Sequence, residues 1–154
     1  MSPADVQHEV ARACWDALDV HVAYAVLRLR SDVFVVEQEC VYPDLDGRDT
    51  EAGAEHRWAH EPGEPAAVLA YLRVLPDPAG VRVGRVVTAP AARGRGLAGV
   101  LVQQVLTDHG ARVAVVLDAQ THLAGWYARY GFVRDGDDFV EDGIPHTPMV
   151  RPAG

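Results

Sequence analysis

The sequence predicts a mixed α/β (α+β) fold: a mainly antiparallel twisted sheet with one central parallel β-α-β crossover and flanking helices. Three observations predict it. An amphipathic run at 95–109 is followed at once by an all-apolar stretch at 113–117, as when a helix crosses between two parallel strands. Upstream, short apolar runs are separated by turns rich in Pro, Gly and Asp, as antiparallel strands are. The chain has 154 residues, 49% hydrophobic and 23% charged, the size and balance expected of one domain over 1–154.

In order, residues 9–17 alternate and read as a first strand. Asp19 can cap a helix running to Gln38, with Val20, Tyr24, Leu27 and Phe34 near one face. The next stretch, 40–54, carries Pro, Asp and Gly and reads as a long loop of the kind that often bears function. Strands follow at 56–60, 67–75 and 81–88. The helix at 95–109 places Leu97, Ala98, Leu101, Val102, Val105 and Leu106 on one face, and Gly110 stops it. Residues 113–117 read as a strand buried on both faces. A shorter helix at 121–130 aligns Leu123, Trp126, Tyr127 and Tyr130. Strands at 132–140 and 147–151 close the chain around the turn 141–145.

Composition narrows the function. The net charge is −8, and all fourteen basic residues are arginine. No basic stripe exists to neutralise phosphates along a duplex, so no nucleic acid partner is expected. No apolar run reaches 18 residues, so no membrane span is expected. The N-terminus lacks the basic start and apolar core of a leader, and a cytoplasmic protein is expected. Cys14 and Cys40 read as free thiols, Cys14 as a small buried hydrophobe. Neither lies in a metal-ligand spacing, and no metal is expected. His56 and His60 fall on one strand, too far apart for one ion. The segment Asp44-Leu45-Asp46-Gly47-Arg48-Asp49 fails the calcium-loop pattern and reads as a surface turn.

The segment Arg93-Gly94-Arg95-Gly96-Leu97-Ala98-Gly99 joins a strand to the strongest helix. Glycines let backbone approach a ligand, and the first helical amides are unpaired donors at the positive end of the dipole. Together they form a site for a pyrophosphate, with Arg93 and Arg95 adding charge. The segment also matches the dinucleotide fingerprint, with Asp118 downstream. Two features oppose that reading. Six residues, 88–93, separate the strand from the loop. The fingerprint opens the first unit of a many-stranded parallel sheet, whereas here it falls past mid-chain.

These residues resemble the GCN5-related N-acetyltransferases (GNAT). Val86-Val87-Thr88-Ala89-Pro90 followed by Arg93-Gly94-Arg95-Gly96-Leu97-Ala98 is similar to the family's coenzyme A signature, with Ala91 standing where the family has Gln or Arg. Leu123-Ala124-Gly125-Trp126-Tyr127-Ala128-Arg129-Tyr130-Gly131-Phe132 resembles its later motif, in which a tyrosine precedes a Gly-Phe pair. Residues 29–38, 42–49 and 141–146 resemble the ElaA-like branch. The resemblance implies acetyl-CoA as cosubstrate and transfer to a primary amine within a ternary complex. It implies that Val86, Val87 and Thr88 pair with the pantetheine arm, that Arg93, Gly94, Arg95, Gly96, Leu97 and Ala98 hold the diphosphate, and that Tyr127 donates to the departing sulfur. For the base that deprotonates the amine, Glu37 and His146 rank above His122. Monomer and homodimer both stay open. The alternatives are a non-catalytic acyl-CoA sensor and a nicotinamide dinucleotide-binding protein.

Overall fold

Period-2 and all-apolar runs become, among the described residues, eight strands: β1 (Glu9–Ala13), β2 (Glu55–Glu61), β3 (Glu64–Asp77), β4 (Gly80–Thr88), β5 (Ala114–Gln120), β6 (Val133–Arg134), β7 (Phe139–Glu141) and β8 (Ile144–Arg151). The helices are α1 (Val20–Arg30), α2 (Leu97–His109) and α3 (Ala124–Ala128). The computed structural model describes residues 8–154. Residues 1–7, on which the leader reading largely rests, lie outside it. No helix among the described residues is long and apolar enough to cross a membrane.

The strands share one sheet in the order β1-β2-β3-β4-β5-β8-β6, with β7 also paired to β8. Among the described residues every pairing is antiparallel except β4 with β5, where Gly80, Val81 and Arg82 face Ala114, Val115 and Val116. That is the crossover the sequence predicts, with α2 as its helix. A doubly wound dinucleotide sheet needs several parallel pairs, and this sheet has one among the described residues.

Alternate residues of the strands supply two cores. On one face Tyr71 and Val87 pack with Trp58 against Val22, Val26, Leu29 and Val33 of the first helical segment. On the other, Leu72, Val74, Val83, Val115 and Leu117 pack against Leu97, Leu101, Val102, Val105 and Leu106 of α2. Each fully buried aliphatic side chain contributes about 1.5–3 kcal/mol relative to exposure.

Several expectations need correction. The first strand stops at Ala13, and Trp15–Ala17 forms a 3-10 turn that leaves Cys14 exposed, not buried. Asp19 does cap α1, accepting from the His21 amide at 2.9 Å. The buried stripe is Val22, Val26, Leu29 and Val33, at i, i+4, i+7 and i+11, and Val20 and Tyr24 are exposed because they fall on the opposite side of the helix from that stripe. Beyond Arg30 the predicted helix continues as a wider π-type segment, Ser31–Glu37, with Cys40 bonding back to Val35. The second predicted helix is a 3-10 turn, Thr121–Leu123, running into α3. The predicted strand at 132–140 is two short strands. The β7–β8 hairpin turns on Asp142-Gly143, both at positive φ, as a two-residue hairpin requires.

Candidate active site

Parallel pairing between β4 and β5 ends at Arg82 and Val116, yet both strands run on. Past that point β5 pairs only with β8, and β4 only with β3. The two strands therefore splay. A cleft of about 420 Å³ lies in the gap, lined by Gly84, Arg85 and Val86 on one side and by Leu117, Asp118 and Gln120 on the other.

A bulge shapes the β4 side. Tyr71 pairs with Val87 and Arg73 with Gly84, so Leu72 alone opposes Arg85 and Val86. Arg85 sits at φ +52°, left-handed backbone that glycine normally supplies. A non-glycine residue held there costs about 1–3 kcal/mol.

Beyond β4 the chain passes through the 93–96 loop to the opening of α2. Gly94 and Gly96 have φ of +84° and +72°, and the space where their side chains would stand is open. Gly96 caps α2 with no side-chain hydrogen bond, so the first amides of the helix keep their donors. The residues fit a diphosphate: open backbone, uncapped amides, and arginines at 93 and 95. Gly99 differs. A Cβ there would overlap the Tyr130 hydroxyl, so this glycine serves helix packing.

Tyr127 reaches the cleft from α3. Its ring is held edge-on between Trp126 and Phe132, with centroids 4.9 and 6.0 Å away. Its hydroxyl has no hydrogen-bond partner among the described residues, and burial pushes its pKa up, so it stays protonated at neutral pH. His146, on β8, lines the same cleft and stacks on Phe139 at 5.6 Å. Its Nδ1 lies 2.8 Å from the Ile144 carbonyl. Donation to that carbonyl fixes the tautomer with a free lone pair on Nε2.

The structure separates Glu37 from these two. Its carboxylate does not line the cleft and lies 2.8–2.9 Å from the Arg93 guanidinium. The Arg93 hydrogen bond lowers its pKa, which weakens it as a base. His122 is exposed and outside the cleft lining.

The 44–49 segment is a surface turn only in its middle, Leu45 to Gly47. Asp44 and Asp49 are buried, and three arginines from other elements take up its carboxylates. Arg30 donates to Asp44 at 3.0 Å and Asp49 at 2.6 Å. Arg73 donates to both oxygens of Asp46 at 2.9 Å and to Asp49 at 3.1 Å. Arg85 Nη2 reaches the Asp44 carbonyl at 3.1 Å and Asp46 at 3.3 Å. Its Nε stands 2.9 Å from Asp44 Oδ1 without hydrogen-bond alignment, and its guanidinium lies over the Tyr42 ring at 5.4 Å. Burial alone would raise the Asp46 and Asp49 carboxyls, but these arginines outweigh it and both lie below the usual range. Behind them, His56 bonds Tyr71 at 2.6 Å and the Asp49 carbonyl at 2.9 Å. No signal along the sequence marks this network, because its partners lie up to 41 residues apart. Asp118, the residue a dinucleotide fingerprint would aim at a ribose, pairs with Arg82 at 3.1 Å. Among the described residues no cluster of His, Cys, Asp and Glu could hold a metal.

Residues 33–152 match the acetyltransferase (GNAT) domain family. The chain belongs to this family. The GNAT chain is 45% identical to a UPF0039 protein of Mycobacterium tuberculosis over 94% of each sequence. It is 38% identical to ElaA of Escherichia coli, covering 87% of this chain and 90% of that one. Its structure superposes on Escherichia coli ElaA and on an acyl-CoA N-acyltransferase from Pseudomonas aeruginosa, each with a TM-score of 0.84 over 94% of this chain and 99% of the other, at 35% and 39% identity. Membership makes the splayed strands and glycine loop those of an N-acyltransferase fold, and places this GNAT chain with the ElaA relatives.

Proposed function

We propose that this protein transfers an acetyl group from acetyl-CoA to a primary amine, directly, in a ternary complex. The observation that carries the reading is the unpaired β5-facing edge of β4 opening on the cleft that Tyr127 lines, in a strand that leads on along the chain to the uncapped amides of α2. The amides of Leu97 and Ala98, with Gly94, Gly96 and Arg95, take the diphosphate. Arg93 joins them, steadied by Glu37, so we assign Glu37 to positioning Arg93 and not to proton removal. The backbone of Val86, Val87 and Thr88 pairs with the pantetheine arm, and an amide near Val87 stabilises charge developing on the thioester oxygen.

Proton traffic falls to two side chains. Tyr127, kept protonated by burial, donates to the departing sulfur. His146 Nε2 accepts the proton of the attacking amine. Glu141 and Asp142 line the cleft with no ion-pair partner among the described residues, which suits an acceptor that arrives as a cation. The chain's own groups supply the electrostatics. A cytoplasmic setting suits the two free thiols.

Thiol release from acetyl-CoA, followed over polyamines, aminoglycosides, amino acids and peptides, tests the reading. Release that depends on an amine supports it. Tight acetyl-CoA binding with every amine inert would make the domain an acyl-CoA sensor. A thermal shift with NAD and none with acetyl-CoA would overturn it.

A further inference from the structure

Arg85 holds left-handed backbone at the bulge that opposes Leu72, and its guanidinium is gripped from outside the sheet. Tyr42 lies beneath it, the Asp44 carbonyl and carboxylate meet it on one side, and Asp46 meets it on another. The gripping segment is itself anchored, since Arg30 and Arg73 hold the same carboxylates. The bulge, Arg85 and Val86, comes just beyond the last β4–β5 pair and opens the Val86–Thr88 edge, so its backbone angle sets where the free edge of β4 points.

We propose that Arg85 is a positioning residue. The 42–46 segment clamps its side chain, the clamp holds the strained angle, and the angle keeps the β4 edge aligned for the acyl-CoA arm. The guanidinium works on the backbone of its own strand and not on the ligand. This rests on the acetyl-CoA reading given above.

A conformational role and a ligand-contact role respond oppositely to two substitutions. Arg85→Ala removes the clamp and leaves a residue that resists positive φ. Arg85→Gly removes the clamp but accepts that φ. Calorimetric titration with acetyl-CoA should show about a tenfold rise in Kd for Arg85→Ala, with Arg85→Gly recovering most of it. The KM for acetyl-CoA should follow the same order, with the amine KM unmoved. Tyr42→Leu should weaken acetyl-CoA binding in the parent and add little in the Arg85→Gly background. Equal impairment of Arg85→Ala and Arg85→Gly would overturn the proposal, as would an unaffected Arg85→Ala. Parent protein that fails to bind acetyl-CoA would defeat the acetyltransferase reading alone. The bulge clamp would then be judged by melting temperature, where Arg85→Gly must exceed Arg85→Ala, and the reverse order would reject it.

Discussion

Two loops of this molecule are short, charged and rich in special backbone, and they behave in opposite ways. The 93–96 loop is exposed, its glycines face open space, and the helix it introduces has no side-chain cap. The 44–49 loop is drawn inward, and its aspartates are taken up by Arg30, Arg73 and Arg85. Unsatisfied backbone donors at the surface make a place for a ligand. Charges satisfied from within make the frame that holds such a place. Charge density alone does not tell the two apart; the partner of each polar atom does.

The contrast breaks most readily at the frame. Asp49→Ala leaves Arg30 and Arg73 short of a buried partner, and removing one member of such a pair costs about 3–5 kcal/mol. Thermal unfolding should show a fall of roughly 10 °C or more. An unchanged melting temperature would mean the inner loop is as idle as a surface turn. At the other loop the loss should be of affinity. Gly96→Trp should weaken acetyl-CoA binding roughly a hundredfold by calorimetry, with about 1–2 kcal/mol of stability lost to the positive φ. Tyr127→Phe should lower kcat by about ten- to a hundredfold and leave KM for acetyl-CoA in place. Complete loss is not expected, since a thiol with a pKa of about 8.5 can leave as the anion.

The smallest effect sharpens the frame's dependence on protonation. Asp46 and Asp49 have pKa values below the usual 3.8, so the unfolded chain binds more protons near that pH. Their contribution is present above about pH 4 and is lost as pH falls through the lower folded values. Burial also lowers His56 below 6.5, with the same sign: its neutral form stabilises above that pH and the contribution fades as pH drops. Melting temperature should decline slightly between pH 7 and 5 and steeply below 4. A rise on acidification to pH 5 would contradict the neutral, buried His56.

The crossover and the glycine loop were legible because their signals are local. The stripe from Leu97 to Leu106, the apolar run of β5 and the spacing of Gly94 and Gly96 all lie within single elements. Tyr127 and His146 could be nominated from motifs, but their meeting in one cleft depends on β8 lying beside β5. The arginine-held loop was unreadable for the same reason. Arg30, Arg73 and Arg85 come from a helix and two strands, and nothing in their immediate neighbours announces a shared target. The left-handed Arg85 was equally hidden, because arginine is not a residue that signals positive φ. The face of α1 was misjudged where an exposed Tyr24 mimicked a core aromatic.

Every cation in the frame is a guanidinium, and the chain contains no lysine at all. Guanidinium groups stay charged and are poor nucleophiles, whereas lysine amines are the usual targets of acylation. In the proposed acetyl transfer, the thioester would therefore meet no side-chain amine in these supports.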